Sequence, residues 1–274
     1  MRGSLIASVA AVLAVSIGGC DDLEPAVQNP KNGGIPIDVS NENQTIVQGE
    51  VKELFGKKVT NWVVLDPTTK KVKAFKWTLP VTAVENVPAN IQSDVRFWMK
   101  LPKEFTDQTL FTGMSYDILP HGHAPAGIYN VPHWENHFIT FTQEESVAID
   151  CRNAIFPADK LLPPEPGWFY IPPPDNCIPG MGFHAVSALL PEFNQEKFTR
   201  SFLPDYYNGK LASLESKASS EFLSKRESFV IPAPNVPMPK ATIIPTKVVV
   251  TWDRPSDTHI WAMTDFVDAT VLPP

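Results

Sequence analysis

Between positions 121 and 138 the chain reads HGHAPAGIYNVPHWENHF, which holds four of its six histidines, His121, His123, His133 and His137. Neutral imidazole is the commonest protein ligand for a metal ion, and its other ring nitrogen can be fixed by a neighbour. If PHWENHFITF is extended, His133, Glu135, His137, Ile139 and Phe141 project from one face. Trp134, Asn136, Phe138 and Thr140 take the other, because strand side chains alternate. Successive members of a face stand about 6 to 7 Å apart. That separation suits two ligands of one ion, or one ligand beside a carboxylate that fixes its tautomer. The histidine face runs on into apolar residues, so its polar groups need partners once buried, and a metal would supply them.

His121 and His123 are two positions apart. In an extended segment their rings face the same way and in a turn they diverge; Gly122 permits either. A return of the chain from Ala124 to Pro132 would set this pair beside the 133 to 137 strand. His184, in CIPGMGFHAVS, is the remote candidate, with Gly180 and Gly182 before it allowing close backbone approach. The expected metal ligands are therefore His121, His123, His133, His137 and His184, with Glu135 as an orienting carboxylate or, in an enzyme, a general base. Such nitrogen donors suit zinc, copper, nickel or iron over calcium or magnesium. Four or more histidines would close the coordination shell for a structural or carrier role. Three would leave a water position open to hydrolysis or oxidation. The alternative is a metal-free hydrogen-bonded histidine network. His259 has no partner nearby in sequence and reads as structural, Trp134 and Phe138 as core, and Tyr129 as a pocket wall or cap.

The order H-x-H, later carboxylate, distant His resembles the cupin metal site as an analogy of architecture; His133 and His137 have no direct cupin counterparts. A longer pattern is P-H-G-H-x-P-x-G-x-Y-x-x-P-H-[FW]-x-x-H-F followed by M-G-x-H. It runs here from Pro120, His121, Gly122, His123, Pro125, Gly127 and Tyr129 through Pro132, His133, Trp134, His137 and Phe138 to Met181, Gly182 and His184. This pattern resembles a poorly characterised family of exported bacterial proteins, many of them lipoproteins, sometimes called TTHB-like. The resemblance covers the central part of the chain. It implies a β-rich domain open to homo-oligomerisation, with no established reaction. Many relatives carry an acid after His123, where this chain has Ala124.

The elements that must position these residues are mostly strands. VTNWVVL (59–65) and VKAFKWTL (72–79), joined by DPTTKK, read as a hairpin. In SDVRFWMKL, Val95, Phe97, Met99 and Leu101 share one side and Asp94, Arg96 and Lys100 the other, the period of a half-buried strand. Further strands are expected at 109–116, 133–141, 168–171, 246–252 and 258–266. One stretch departs from this pattern. Leu211, Leu214, Ala218 and Phe222 recur at three- and four-residue steps among Lys, Glu and Ser, which predicts a surface helix near 209–226. The expected fold is mainly β, a sandwich or barrel, cupin-like by analogy, as one domain over 48–274 with room for a small subdomain at 190–240.

The first 19 residues are set apart from that domain. MRGS carries one positive charge, LIASVAAVLAVSI is apolar and too short for a comfortable span, and IGGC ends on Cys20. This resembles the lipobox of bacterial lipoproteins and implies cleavage after residue 19, lipid on Cys20, a membrane partner through that lipid, and a place in the cell envelope. Residues 20–47 are polar and rich in turn formers, and read as a tether. Removing 1–19 takes away Arg2, leaving 22 basic against 30 acidic residues, a formal charge of −8. So acidic a chain has no reason to hold nucleic acid.

Cys151 and Cys177 enclose seven prolines, and in an exported chain they are expected to form a disulfide worth roughly 3 kcal/mol. Two metal thiolates are the rival reading, without the close CxxC spacing that favours it. The chain lacks the GxSxG, HExxH, Walker, dinucleotide-glycine and CxxCH patterns, so any chemistry rests on the histidines. Three functions follow as expectations: an envelope lipoprotein with a transition-metal site in binding, sensing or stress response; a cupin-like metalloenzyme acting on a small-molecule ligand; or a structural protein with a metal-free histidine network.

Overall fold

The computed structural model describes residues 44–151, 166–172 and 177–271. The expected signal segment, Cys20 and most of the tether lie outside these residues. The described residues belong to one compact unit, residues 41–274. Its first strand begins at Thr45, a few residues before the expected end of the tether.

Two antiparallel sheets pack as a sandwich. The first has six strands: β1 (Thr45–Leu54), β2 (Lys57–Leu65), β3 (Val72–Pro80), β12 (Phe229–Pro232), β14 (Lys247–Asp253) and β15 (Thr258–Thr264). Their order across the sheet is β1-β2-β3-β15-β14-β12. The second runs β4-β5-β6-β11-β10-β9-β7, with β8 also paired to β9. Its strands are β4 (Val95–Met99), β5 (Gly113–Leu119), β6 (His133–Ile139), β7 (Trp168–Tyr170), β8 (Cys177–Ile178), β9 (Gly182–Ser187), β10 (Arg200–Tyr207) and β11 (Lys210–Ser219). A small third sheet pairs β13 (Ile243–Ile244) with β16 (Val267–Asp268). Among the described residues no helix is long and apolar enough to cross a membrane.

Local chemistry sets several of these elements. The β2–β3 hairpin turns because Asp66 Oδ1 accepts from the backbone N–H of Thr68 and Thr69 while Lys70 adopts φ 59°. The inner faces of the two sheets meet on aromatic rings. Phe138 of β6 lies 4.9 Å from Trp77 and 5.6 Å from Phe75, both edge-on, and Trp77 stacks on Trp261 at 5.8 Å. Polar groups on this face are paired across the gap: Trp77 Nε1 donates to Asn136 Oδ1 at 3.0 Å, and Tyr116 Oη to the Thr78 carbonyl at 2.8 Å.

The helix expected near 209–226 is instead strand β11, followed by the short helix α4 (Ser220–Leu223). A bulge accounts for the difference. Asp205 pairs with Ser213 but Tyr206 pairs with Leu211, so Ala212 is an extra residue in β11. That insertion turns Leu211 to the same face as Leu214 and Ala218, all three in the main core. A three-residue step thus arises within a strand.

The expected subdomain at 190–240 is not separate either. Strands β10 and β11 lie inside the eight-stranded sheet, and β12 closes an edge of the six-stranded one. The expected disulfide is present, Cys151 to Cys177 with Cα atoms 5.8 Å apart. It anchors β8, whose Cys177 and Ile178 pair with Phe183 and Gly182 of β9.

A buried histidine and carboxylate cluster

The face of the eight-stranded sheet turned away from the sandwich carries the candidate site. Register lines up its side chains in two adjacent rows. One runs Arg96, Asp117, Glu135, Lys217 from β4 through β5 and β6 to β11. The next runs Ser115, His137, Glu215. His133 follows on β6, and Asp205 of β10 sits opposite His184 of β9. Apart from the half-buried Arg96, these charged and polar side chains are buried; Glu135, Asp205, Glu215 and Lys217 are each 0 % exposed.

A second, smaller apolar cluster, Tyr129, Ile171, Val186, Phe198 and Leu203, accompanies this face. Tyr129 caps the site. Its hydroxyl donates to Glu192 Oε1 at 2.9 Å, its ring packs edge-on to Phe198 at 4.9 Å, and Lys217 Nζ lies 3.7 Å from its centroid.

Two backbone positions depend on glycine. Gly122 turns with φ +65°, and a Cβ there would meet the Tyr129 carbonyl at 2.1 Å. The turn settles the geometry of H-G-H: the rings diverge, His123 enters the cluster, and His121 is exposed and stands outside it. Gly182, with φ +101°, would place a Cβ 2.5 Å from the Tyr206 carbonyl, so its lack of a side chain lets β9 and His184 approach β10.

The expected five-histidine centre is therefore four histidines arranged in two pairs, each pair on one carboxylate oxygen. His123 Nε2 and His133 Nε2 both lie 2.9 Å from Glu135 Oε1. Their other nitrogens face backbone carbonyls, His133 Nδ1 that of Val131 at 2.7 Å and His123 Nδ1 that of Ala124. A carbonyl only accepts, so both Nδ1 atoms carry protons, and neutral rings would aim two Nε2 lone pairs at a carboxylate. In the second pair, His137 Nε2 is 3.2 Å and His184 Nε2 3.1 Å from Glu215 Oε2. His184 Nδ1 is 3.2 Å from Asp205 Oδ1, and His137 Nδ1 is 3.7 Å from Asp117 Oδ2. Both nitrogens of His137 and His184 are buried without an aligned hydrogen bond, as are Glu135 Oε2 and both oxygens of Glu215.

Four carboxylates, Asp117, Glu135, Asp205 and Glu215, face two fixed cations. Arg96 binds Asp117 at 2.6 Å and donates to the Gly180 carbonyl at 2.7 Å. Lys217 Nζ is 2.9 Å from Glu215 Oε1 and 3.6 Å from Glu135 Oε1. With neutral imidazoles the cluster is two charges negative, an excess that a bound cation or protons on His137 and His184 would balance.

The same charges shift the titrating groups. Burial alone would depress His137, but Asp117 and Glu215 outweigh it and push its pKa up to about 9. His184 is raised in the same way against its own desolvation by Asp205 and Glu215. Burial raises the Asp205 carboxyl to about 6. Glu135 and Glu215, despite burial and mutual repulsion, are held well below the usual carboxylate range by the histidines and Lys217. Lys217 is lifted against desolvation by Glu215 and Glu135.

Three groupings offer one ligand atom each within 4.8 Å of one another: His123, His133 and Glu135; Asp117, Glu135 and His137; and His137, Asp205 and Glu215. Donor atoms about 2.8 to 3.4 Å apart are what metal–nitrogen bonds of about 2.0–2.1 Å impose on an octahedral or tetrahedral shell. The buried His, Glu and Asp groups could therefore hold a metal ion. His259 belongs to the other sheet, where its Nε2 bonds the Leu223 carbonyl at 2.8 Å. Sequence reasoning missed Asp117, Asp205, Glu215 and Lys217. Their signal was an acid or base at alternate positions within apolar or small-residue runs, as in SYDIL, FLPDYY and SLESKAS. No family model, curated protein or solved structure matches the chain.

Proposed function

We propose that this chain is a lipid-anchored protein of the bacterial cell envelope that binds a transition-metal ion through His123, His133 and Glu135, in a binding or sensing role. In this reading it groups with the exported TTHB-like proteins whose histidine pattern it resembles. One observation carries the metal: two buried imidazoles, each with Nδ1 committed to a backbone carbonyl, bring Nε2 to 2.9 Å from one carboxylate oxygen. A divalent ion between them satisfies all three donors and lowers the cluster's negative charge. Hydrogen-bonded Nδ1 atoms of this kind orient metal-bound histidines and raise their basicity.

Nitrogen and carboxylate donors favour zinc, iron, nickel or copper(II). Burial supports holding an ion over turning over a bulky substrate. The His123 side chain is 8 % exposed, and the His133 and Glu135 side chains 0 %. The route for an ion is therefore expected through the His123 loop.

Elemental analysis of purified full-length protein is expected to find a stoichiometric transition metal, with the content reduced in His133→Ala. No metal after careful purification, together with no uptake on titration, overturns the reading. For the anchor, Cys20→Ser is expected to release the protein from the membrane fraction, and retention of that variant there would contradict lipidation at Cys20.

A further inference from the structure

We infer that the cluster holds a second metal site, built from His137, His184 and Glu215, joined to the first through the carboxylate of Glu135. The inference extends the proposed function but rests on different donors. In each pair the two Nε2 atoms converge on one oxygen of one glutamate, and His137 and Glu215 form with Asp205 a grouping whose donor atoms lie within 4.8 Å of one another.

In the second pair the glutamate's two oxygens are divided by role. Glu215 Oε1 faces Lys217 at 2.9 Å, which leaves Oε2 to His137 and His184. Behind His184, Asp205 Oδ1 stands 3.2 Å from Nδ1 and is itself steadied by Ser213, whose hydroxyl donates to Oδ2 at 2.5 Å. Behind His137, Asp117 is held by Arg96 and by the Ser115 hydroxyl at 2.8 Å. A carboxylate that accepts from Nδ1–H sets the tautomer that presents Nε2 to a metal, and Asp205 stands at that distance from His184.

Glu135 connects the two sites. Its Oε1 takes His123 and His133, and its Oε2 is buried without a hydrogen-bond partner, 3.8 Å from His137 Nε2. A carboxylate with one oxygen toward each ion is the usual link in two-metal centres, and both ions would share one dry environment. More carboxylates surround the second site than the first, so it suits harder divalent ions such as manganese, iron(II), cobalt or zinc.

The test is titration of metal-stripped full-length protein with zinc(II), and separately with cobalt(II), counting equivalents bound per chain. Wild type is expected to take two. Glu215→Gln and His184→Ala are each expected to take one, retained through His123 and His133, while His133→Ala keeps only the His137 and His184 equivalent. Far-ultraviolet circular dichroism of the metal-free variants checks that each is folded; Glu215→Gln preserves shape should His184→Ala fail to fold. One equivalent in wild type, lost in His133→Ala but kept in Glu215→Gln, overturns the second site and leaves the first standing. No equivalents in wild type overturns both.

Discussion

The two faces of strand β6 lie one residue apart and solve opposite problems. Trp134, Asn136 and Phe138 face the other sheet among close-packed rings, with the Asn136 side chain hydrogen-bonded to Trp77 and to the Ser216 carbonyl. His133, Glu135 and His137 face the outer side among ionisable groups, where nitrogens and carboxylate oxygens are buried without aligned partners. The first arrangement stabilises the fold by apolar burial and dispersion. The second costs stability unless protons on the imidazoles or a bound cation balance the carboxylates, because unpaired buried charge is expensive. Stability and function are thus separated by the strand's own alternation.

Substitutions on each face break that comparison in different ways. Phe138→Ala should cost about 3–5 kcal/mol by cavity formation. We expect its denaturation midpoint to fall sharply while metal stoichiometry in the folded protein is unchanged. Lys217→Met leaves Glu215 and Glu135 without their cation and should also cost about 3–5 kcal/mol in the metal-free protein, and less once metal is bound. Added zinc is expected to restore part of that loss in thermal unfolding, and equal destabilisation with and without metal would break the link between the charges and the ion.

His133→Ala should remove the stabilisation that metal confers through the first site, about 2.7 kcal/mol at free metal one hundredfold above that site's Kd. The smallest effect concerns His259, on the other sheet. Burial holds its pKa below the ordinary 6.5. The unfolded chain therefore takes up this proton first as pH falls, and stability is lost from about pH 6.5 downward toward the folded value. Relative to wild type, His259→Asn should lack that component, at most about 1.4 kcal/mol for each pH unit in this window. An unchanged slope in urea-unfolding stability against pH would show that His259 does not contribute.

Where side-chain pattern and backbone pattern agreed, the sequence could be read. The alternation of HWENHFI placed His133, Glu135 and His137 on one face and Trp134 and Phe138 on the other, as found. Arg96 fell on the outer side of its strand for the same reason and meets Asp117. The β2–β3 hairpin and the Cys151–Cys177 bond were equally plain.

Legibility failed where one residue altered the period. The extra Ala212 gives strand β11 the apolar spacing of a helix, in which Glu215 and Lys217 would fall on a solvated face. Pro204 hid β10; it lies beyond the short β9 pairing, which involves only Asp205 and Tyr206. His121 stands apart from the other expected ligands because Gly122 takes the turn where the sequence equally allows extension, beside the close approach of Tyr129 and Val131.

X-ray absorption at the metal edge of the zinc-loaded full-length protein tests the central claim most directly. We expect a nitrogen and oxygen first shell with the multiple scattering of imidazole rings, and loss of part of that imidazole signal in His133→Ala. Bound zinc without imidazole scattering, or a spectrum unchanged by His133→Ala, would contradict the assignment of His123, His133 and Glu135 as its ligands.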